Sequence, residues 1–162
     1  MKDSLLILTL AAAVSAGTPL VFAALGGVLG ERAGVINLGM EGMMLIGAVT
    51  AFLVDNKTNS VLLGLLAAGA AGALLALIHG ALSISLRANQ IVSGLALTIF
   101  GTGLASFIGK PIEGQRLSKM LPEVQLPLLV KIPYVGHIFF NQDLLVYLSW
   151  ILTILASLYI NR

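Results

Sequence analysis

Few side chains in this sequence could do chemistry, and most of them lie inside apolar stretches. Glu41 is the strongest, with Asn37 four residues before it; Asn89-Gln90 opens another apolar stretch, and His79 lies deep in a third. A carboxylate at mid-bilayer costs about 2.5–3.5 kcal/mol on insertion scales, so it normally faces a bundle interior or an aqueous path. Asn37, Asn89 and Gln90 offer neutral donors and acceptors, which suit an uncharged polar solute. Two readings stand side by side. In one, Asn37, Glu41, Asn89 and Gln90 line a solute path or pin a gate. In the other, Glu41 pairs with Arg32 or caps a neighbouring helix, and Asn89-Gln90 cap a helix start. A lone His79 on an apolar span reads as a hydrogen-bonded packing residue more readily than as a ligand or proton relay.

Other chemistry is excluded by what is missing. No glycine loop ends in Lys-Ser or Lys-Thr, so the chain shows no nucleotide site of its own. Gly101-Thr102-Gly103 sits within an apolar run and cannot cradle a phosphate. His79 and His137 are too few and too far apart for a triad or a metal site. There are no cysteines, which removes disulfides, thiolate metal sites and a Cys nucleophile. The sequence therefore predicts neither an enzyme nor a resident cofactor. The net charge of +2 comes without Lys/Arg clusters, so no nucleic-acid partner is expected.

The elements that must position these residues follow from where charge is absent. Residues 4–30, 58–86, 88–109 and 144–161 contain no Asp, Glu, Lys or Arg. A bilayer core about 30 Å thick takes roughly 20 apolar residues in a helix. Charged residues make up only 10% of the chain, and mean hydropathy is +1.02. The expected fold is all-α: a polytopic membrane protein, one transmembrane domain over residues 1–162, with about five spans at 5–29, 35–54, 61–86, 91–109 and 144–160. The first run is too long for a signal-peptide core, and no polar mature domain follows it. Pro19, within Gly17-Thr18-Pro19, predicts a kink in it. The second span is short unless residues 35–41 join it, which would set Asn37 and Glu41 on one helix face. A re-entrant or broken helix is the alternative. Small residues around Gly69 and Gly72 predict a close helix–helix face. Gly34, Gly39, Gly42 and Gly94 are read likewise as packing or flexible positions.

Residues 110–143 hold four of the five prolines and charges of both signs, so they are expected to form an extramembrane loop. Its apolar segments 126–130 and 138–140 should rest against the membrane surface or the protein's own mouth.

Three blocks carry a family resemblance. Glu31-Arg32-Ala33-Gly34-Val35-Ile36-Asn37-Leu38-Gly39-Met40-Glu41-Gly42-Met43-Met44 resembles the signature of permease subunits of bacterial ABC importers, in the branch of simple-sugar, ribose, nucleoside and branched-chain amino-acid permeases. Arg87-Ala88-Asn89-Gln90-Ile91-Val92-Ser93-Gly94-Leu95-Ala96-Leu97 is similar to a second block of the nucleoside-type and sugar-type members. Pro133-Tyr134-Val135-Gly136 with Phe140-Asn141-Gln142-Asp143 resembles the segment before their next helix. The resemblance is nearest to nucleoside-type permeases. It implies a multi-pass protein of the bacterial cytoplasmic membrane that moves a nucleoside or simple sugar by alternating access. Its implied partners are a separate ATPase subunit, a second permease chain, an extracytoplasmic solute-binding protein and the lipid bilayer. It also implies that this chain is the N-terminal part of a longer permease, without the Arg/Gly-rich ATPase-contacting loop that follows the last matched helix. Counting basic residues puts Lys2, Lys57 and the long loop inside; the resemblance reverses this and puts Arg32, Arg87 and Arg162 inside. An ATPase-independent carrier or channel, and an accessory membrane subunit, are the alternatives.

Overall fold

The computed structural model describes residues 2–117, 121–125, 127, 129, 130, 132 and 135–161. Among the described residues six α-helices follow in order: α1 (Lys2–Arg32), α2 (Met40–Thr58), α3 (Val61–Gly80), α4 (Gln90–Gly109), α5 (Val135–Phe139) and α6 (Leu144–Ile160). A π-turn, Ala81–Ser85, extends α3, and a 3₁₀ turn, Lys110–Ile112, extends α4. The expected helical membrane protein is observed, with one addition. Within the predicted loop, strands β1 (Glu123–Gln125) and β2 (Asn141–Asp143) pair antiparallel, Val124 opposite Gln142.

Three helical stretches are long and apolar enough to cross a membrane by themselves: Leu5–Arg32, Val61–Ser85 and Gln90–Ile112. Of the five spans expected from sequence, these three correspond to 5–29, 61–86 and 91–109; α2 and α6 lie at the other two positions but are not long and apolar enough by the same measure. α2 carries Glu41, Asp55 and Lys57, and α6 has 17 residues. Phe107 and Ile99 on α4 are 78% and 75% exposed, a surface fit for lipid or protein rather than water.

Local sequence sets the helix ends. Asn89 Oδ1 accepts from the N–H groups of Ile91 and Val92, at 3.0 and 3.2 Å, and starts α4. Asp143 Oδ1 does the same for Leu145 and Val146 at α6. These are ordinary N-caps, relieving the orphan donors of a first turn. α2 stops at Asn59, whose φ of 52° is left-handed and whose N–H reaches the Asp55 carbonyl at 2.7 Å. α1 runs unbroken through Pro19; the buried Thr18 hydroxyl donates back to the Val14 carbonyl at 3.2 Å.

The chain divides into two compact units. The larger, residues 26–120, is organised around α2, which packs against both α3 and α4 through glycines. A Cβ on Gly42 would lie 2.5 Å from the Leu97 carbonyl oxygen; one on Gly101 would lie 2.6 Å from Gly42 Cα. On the other side, a Cβ on Gly64 would come within 2.9 Å of the Ala51 carbonyl oxygen. Ile46, Leu75, Leu97 and Ala105 form the buried core between them, with Met43 and Ala71 packed on it. The small-residue face of α3 is therefore shifted from the expected one. Gly64, Ala68, Ala71 and Leu75 face α2, whereas Gly69 and Gly72 have nothing within contact distance of an added Cβ. Helical spacing explains the shift: residues 64, 68, 71 and 75 share one stripe, and 69 and 72 fall outside it.

The smaller unit, residues 1–25 with 121–162, is tied by Gln142 and Tyr147. Buried Gln142 donates from Nε2 to the Ile138 carbonyl at 2.7 Å and to the Ala11 carbonyl of α1 at 3.0 Å. Tyr147 donates to the Val124 carbonyl at 2.9 Å and accepts from the Gln142 N–H at 3.2 Å. Trp150 stacks edge-on with Tyr147 and tilted against Phe139. Residues 110–143 are thus not uniformly irregular: their second part folds onto the start of α6. Pro133, Tyr134, Leu126 and Leu128, which figure in the sequence reading of this loop, lie outside the described residues.

Gly101→Ala is expected to destabilise the helix unit by about 1–3 kcal/mol, because its methyl group meets backbone that cannot rotate away. Gly69→Ala should be neutral or stabilising by up to about 1 kcal/mol, since it gains helix propensity in open space. Thermal melts in one detergent compare the two directly.

Candidate functional site

The densest polar constellation lies where α1 gives way to α2. α1 ends in a Schellman turn: the Val35 N–H bonds to the Gly30 carbonyl and the Gly34 N–H to the Glu31 carbonyl, each at 2.9 Å. Gly34 supplies the positive φ, 81°, that this turn requires. Residues 35–39 are not helical, and α2 begins only at Met40. The expected continuous span from residue 35 is corrected accordingly, and Asn37 does not share a helix face with Glu41. The physical reason is local. Asn37 folds its side-chain oxygen onto the Gly39 N–H at 2.8 Å, an Asx turn that competes with helix.

A broken backbone leaves donors and acceptors that lipid cannot satisfy. Side chains from α3 and α4 take them up. Gln90 works as a two-pronged clamp: its Oε1 accepts from the Ile36 N–H at 2.7 Å, and its Nε2 donates to the Gly34 carbonyl at 3.2 Å. Thr98, two turns along α4, donates to the Leu38 carbonyl at 2.7 Å. His79, 2% exposed, places Nε2 3.1 Å from the Ile36 carbonyl oxygen and Nδ1 3.1 Å from Ser93 Oγ. Ser83 Oγ lies 3.4 Å from the same Nε2. Gly94 makes the approach possible, since a Cβ there would stand 2.7 Å from the Leu38 nitrogen. Gly39 is buried on the facing side, where an added Cβ would lie 3.2 Å from the Gly94 carbonyl oxygen.

The residues singled out by sequence thus separate. Asn37, Gln90, Gly34, Gly39 and Gly94 come together at the break. Asn89 stands beside them as the cap of α4. Gly42 belongs to the α2–α4 seam. Glu41 is exposed in the first turn of α2, where an acid favours the helix dipole. Among the described residues its carboxylate makes no hydrogen bond or ion pair, so the Arg32 pairing is not observed. Sequence reasoning missed Ser93, Thr98 and Gly101 as working parts. Their signal was present: Gln90, Gly94, Thr98 and Gly101 recur on one helical face, as do Ser93 and Leu97 beside them.

No cluster of three potential metal ligands occurs among the described residues. A cleft of about 560 Å³ between α2 and the end of α4 is walled by Val49, Phe52 and Ile112, with Ser106, Lys110 and Glu113 its polar members. It lacks the convergent donors that would orient a polar solute.

Apolar helices around a polar-clamped backbone break define a multi-pass membrane protein. The chain belongs to the family of permease components of branched-chain amino acid transport systems, whose model matches residues 9–161. It is 45% identical over 146 residues to the guanosine ABC transporter permease protein of Bacillus subtilis, covering 84% of this chain and 45% of that one. It is 36% identical over 150 residues to a nucleoside ABC transporter permease protein of Lactococcus lactis, covering 86% and 47%. A Haloferax volcanii permease protein, named provisionally for glucose ABC transport, is 42% identical over 142 residues, covering 85% and 43%. The chain spans just under half the length of these relatives. No solved structure gives a significant match.

Gln90→Ala should leave the Ile36 N–H and the Gly34 carbonyl unpaired. It is expected to lower stability by about 1–3 kcal/mol and to raise amide hydrogen exchange at residues 34–39. Gln90→Glu keeps the acceptor and loses the donor, so exchange at Ile36 should rise less than in Gln90→Ala.

Proposed function

We propose that this chain forms part of a permease subunit of an ATP-binding-cassette importer that carries a nucleoside or simple sugar across the bacterial cytoplasmic membrane. Hydrolysis falls to a separate ATPase, delivery to an extracytoplasmic binding protein, and a second permease chain completes the pore. The observation that carries this reading is family membership over residues 9–161, with relatives named for guanosine, nucleoside and glucose ABC transport. The scarcity of charge within the spans supports an uncharged solute, and speaks against proton relays. Alternating access would rock helices about the path as the ATPase closes on nucleotide. In such a scheme Asn37 and Gln90 shape the break from within and Asn89 holds the start of α4. Glu41, exposed at the start of α2, and the Asn89 Nδ2, which the cap does not use, are the polar groups of the four best placed to meet a path or a partner.

The test is uptake by the intact assembly in proteoliposomes, with labelled guanosine and labelled glucose in parallel. Uptake should require both the ATPase and ATP. Glu41→Leu should reduce it at least about tenfold while leaving the melting temperature nearly unchanged, since an exposed helix-end acid contributes only about 0.3–1 kcal/mol. Uptake by the permease without ATPase, driven by an ion gradient, would replace this reading with that of a secondary carrier.

A further inference from the structure

His79 is a buried titratable group for which solute transport gives no evident use. Its surroundings fix its chemistry. The Ile36 carbonyl can only accept, so Nε2 must carry the hydrogen at that contact. In the neutral ring Nδ1 is then the acceptor, and the Ser93 hydroxyl donates to it. The same Nε2–H has a second acceptor within reach, Ser83 Oγ at 3.4 Å against 3.1 Å for Ile36. Ser83 is 7% exposed and lies in the π-turn Ala81–Ser85, the point where α3 departs from regular geometry. The Leu86 N–H reaches Ala81, and the Ala88 N–H reaches Leu82. π-Type turns are rare and are found frequently at functional sites. Among the described residues, every hydrogen-bond partner of the ring is neutral: Ser83, Ser93 and the Ile36 backbone.

We propose that His79 is a positioning residue that latches the α1–α2 break. As an Nε2–H imidazole oriented by Ser93, it holds the Ile36 carbonyl in one arrangement and passes the same N–H to Ser83 in the other, releasing that one carbonyl and loosening residue 36 while Gln90 and Thr98 keep their bonds to the segment. The shorter distance makes the held arrangement the favoured one. No proton is gained or lost in the exchange; one hydrogen bond replaces another, and the Ile36 carbonyl turns to an outside donor. Ile36 as a residue is 44% exposed, and the freed carbonyl needs a donor from water at the break, since lipid offers none. The proposal concerns the break itself; only its bearing on solute movement rests on the permease reading.

The experiment uses the intact membrane assembly with cysteines elsewhere replaced by serine and Ile36→Cys as the reporter; position 36 is held by its backbone, not its side chain. The rate of maleimide labelling reads release. His79→Phe and Ser93→Ala should raise it, and Ser83→Ala, which removes the alternative acceptor without touching the break, should lower it. Each change should be about fivefold, the shift that one net hydrogen bond supports. The ring nitrogens of His79, read by ¹⁵N NMR, should show Nε2 protonated and Nδ1 bare. An Nδ1–H tautomer, or equal labelling in Ser83→Ala and the parent, would overturn the latch. If labelling responds as expected while ATP-dependent uptake is absent, the latch stands and the permease reading falls. If uptake is ATP-dependent while labelling is indifferent, the permease reading stands and the latch falls.

Discussion

A hydrocarbon environment supplies no hydrogen-bond partners, so every peptide group that leaves a helix must be met by the protein itself. That constraint governs residues 33–39. Four backbone groups there are taken by Gln90, His79 and Thr98, and a fifth by Asn37 of the segment itself. The clamp dictates much else. α4 must pass close enough for Gln90 and Thr98 to reach, which requires glycine at 94. α3 must bring His79 to the same place, which requires a small-residue contact with α2 at Gly64 and Ala68. The buried polar groups of this unit and its buried glycines answer largely to that one demand.

The arrangement also separates two kinds of polarity that look alike in sequence. Asn37 and Gln90 spend their amides on the protein's own backbone, whereas the Glu41 carboxylate is left at the surface. An amide carries both a donor and an acceptor and can replace a missing piece of backbone ladder. A carboxylate can only accept. Its place at the head of α2 suits the positive end of a helix, and leaves its outward oxygens uncommitted.

Much of this was legible in the sequence, because lipid imposes a strong compositional rule. The charge-free runs located α1, α3, α4 and α6 to within a few residues, and the prolines marked the stretch between α4 and α6 that holds no long helix among the described residues. Of the glycines singled out in sequence, Gly39, Gly42 and Gly94 lie at close backbone approaches, whereas Gly34 serves through its positive φ and has open space around it. What was not legible depended on contacts distant in sequence. α2 starts after a local Asx turn at Asn37, but the neighbouring Ile36 N–H finds its acceptor in Gln90, 54 residues further along the chain, which local pattern does not reveal. Gly69 and Gly72 looked equivalent to Gly64 by composition; only the position of α2 distinguishes the stripe that packs. The β1–β2 pair lies within a proline-rich stretch, and three-residue strands leave too short a pattern to read.

The seam between α2 and α4 carries one more implication. At Gly42 and Gly101 main chain meets main chain, with no side chain in between. Side-chain rotamers are what let neighbouring helices slip into a new register while staying in contact. With none at the crossing, α2 and α4 are mechanically a single stiff spar there. Any side chain larger than hydrogen at either position would force the two main chains apart, so the spacing of α2 and α4 is set at this crossing.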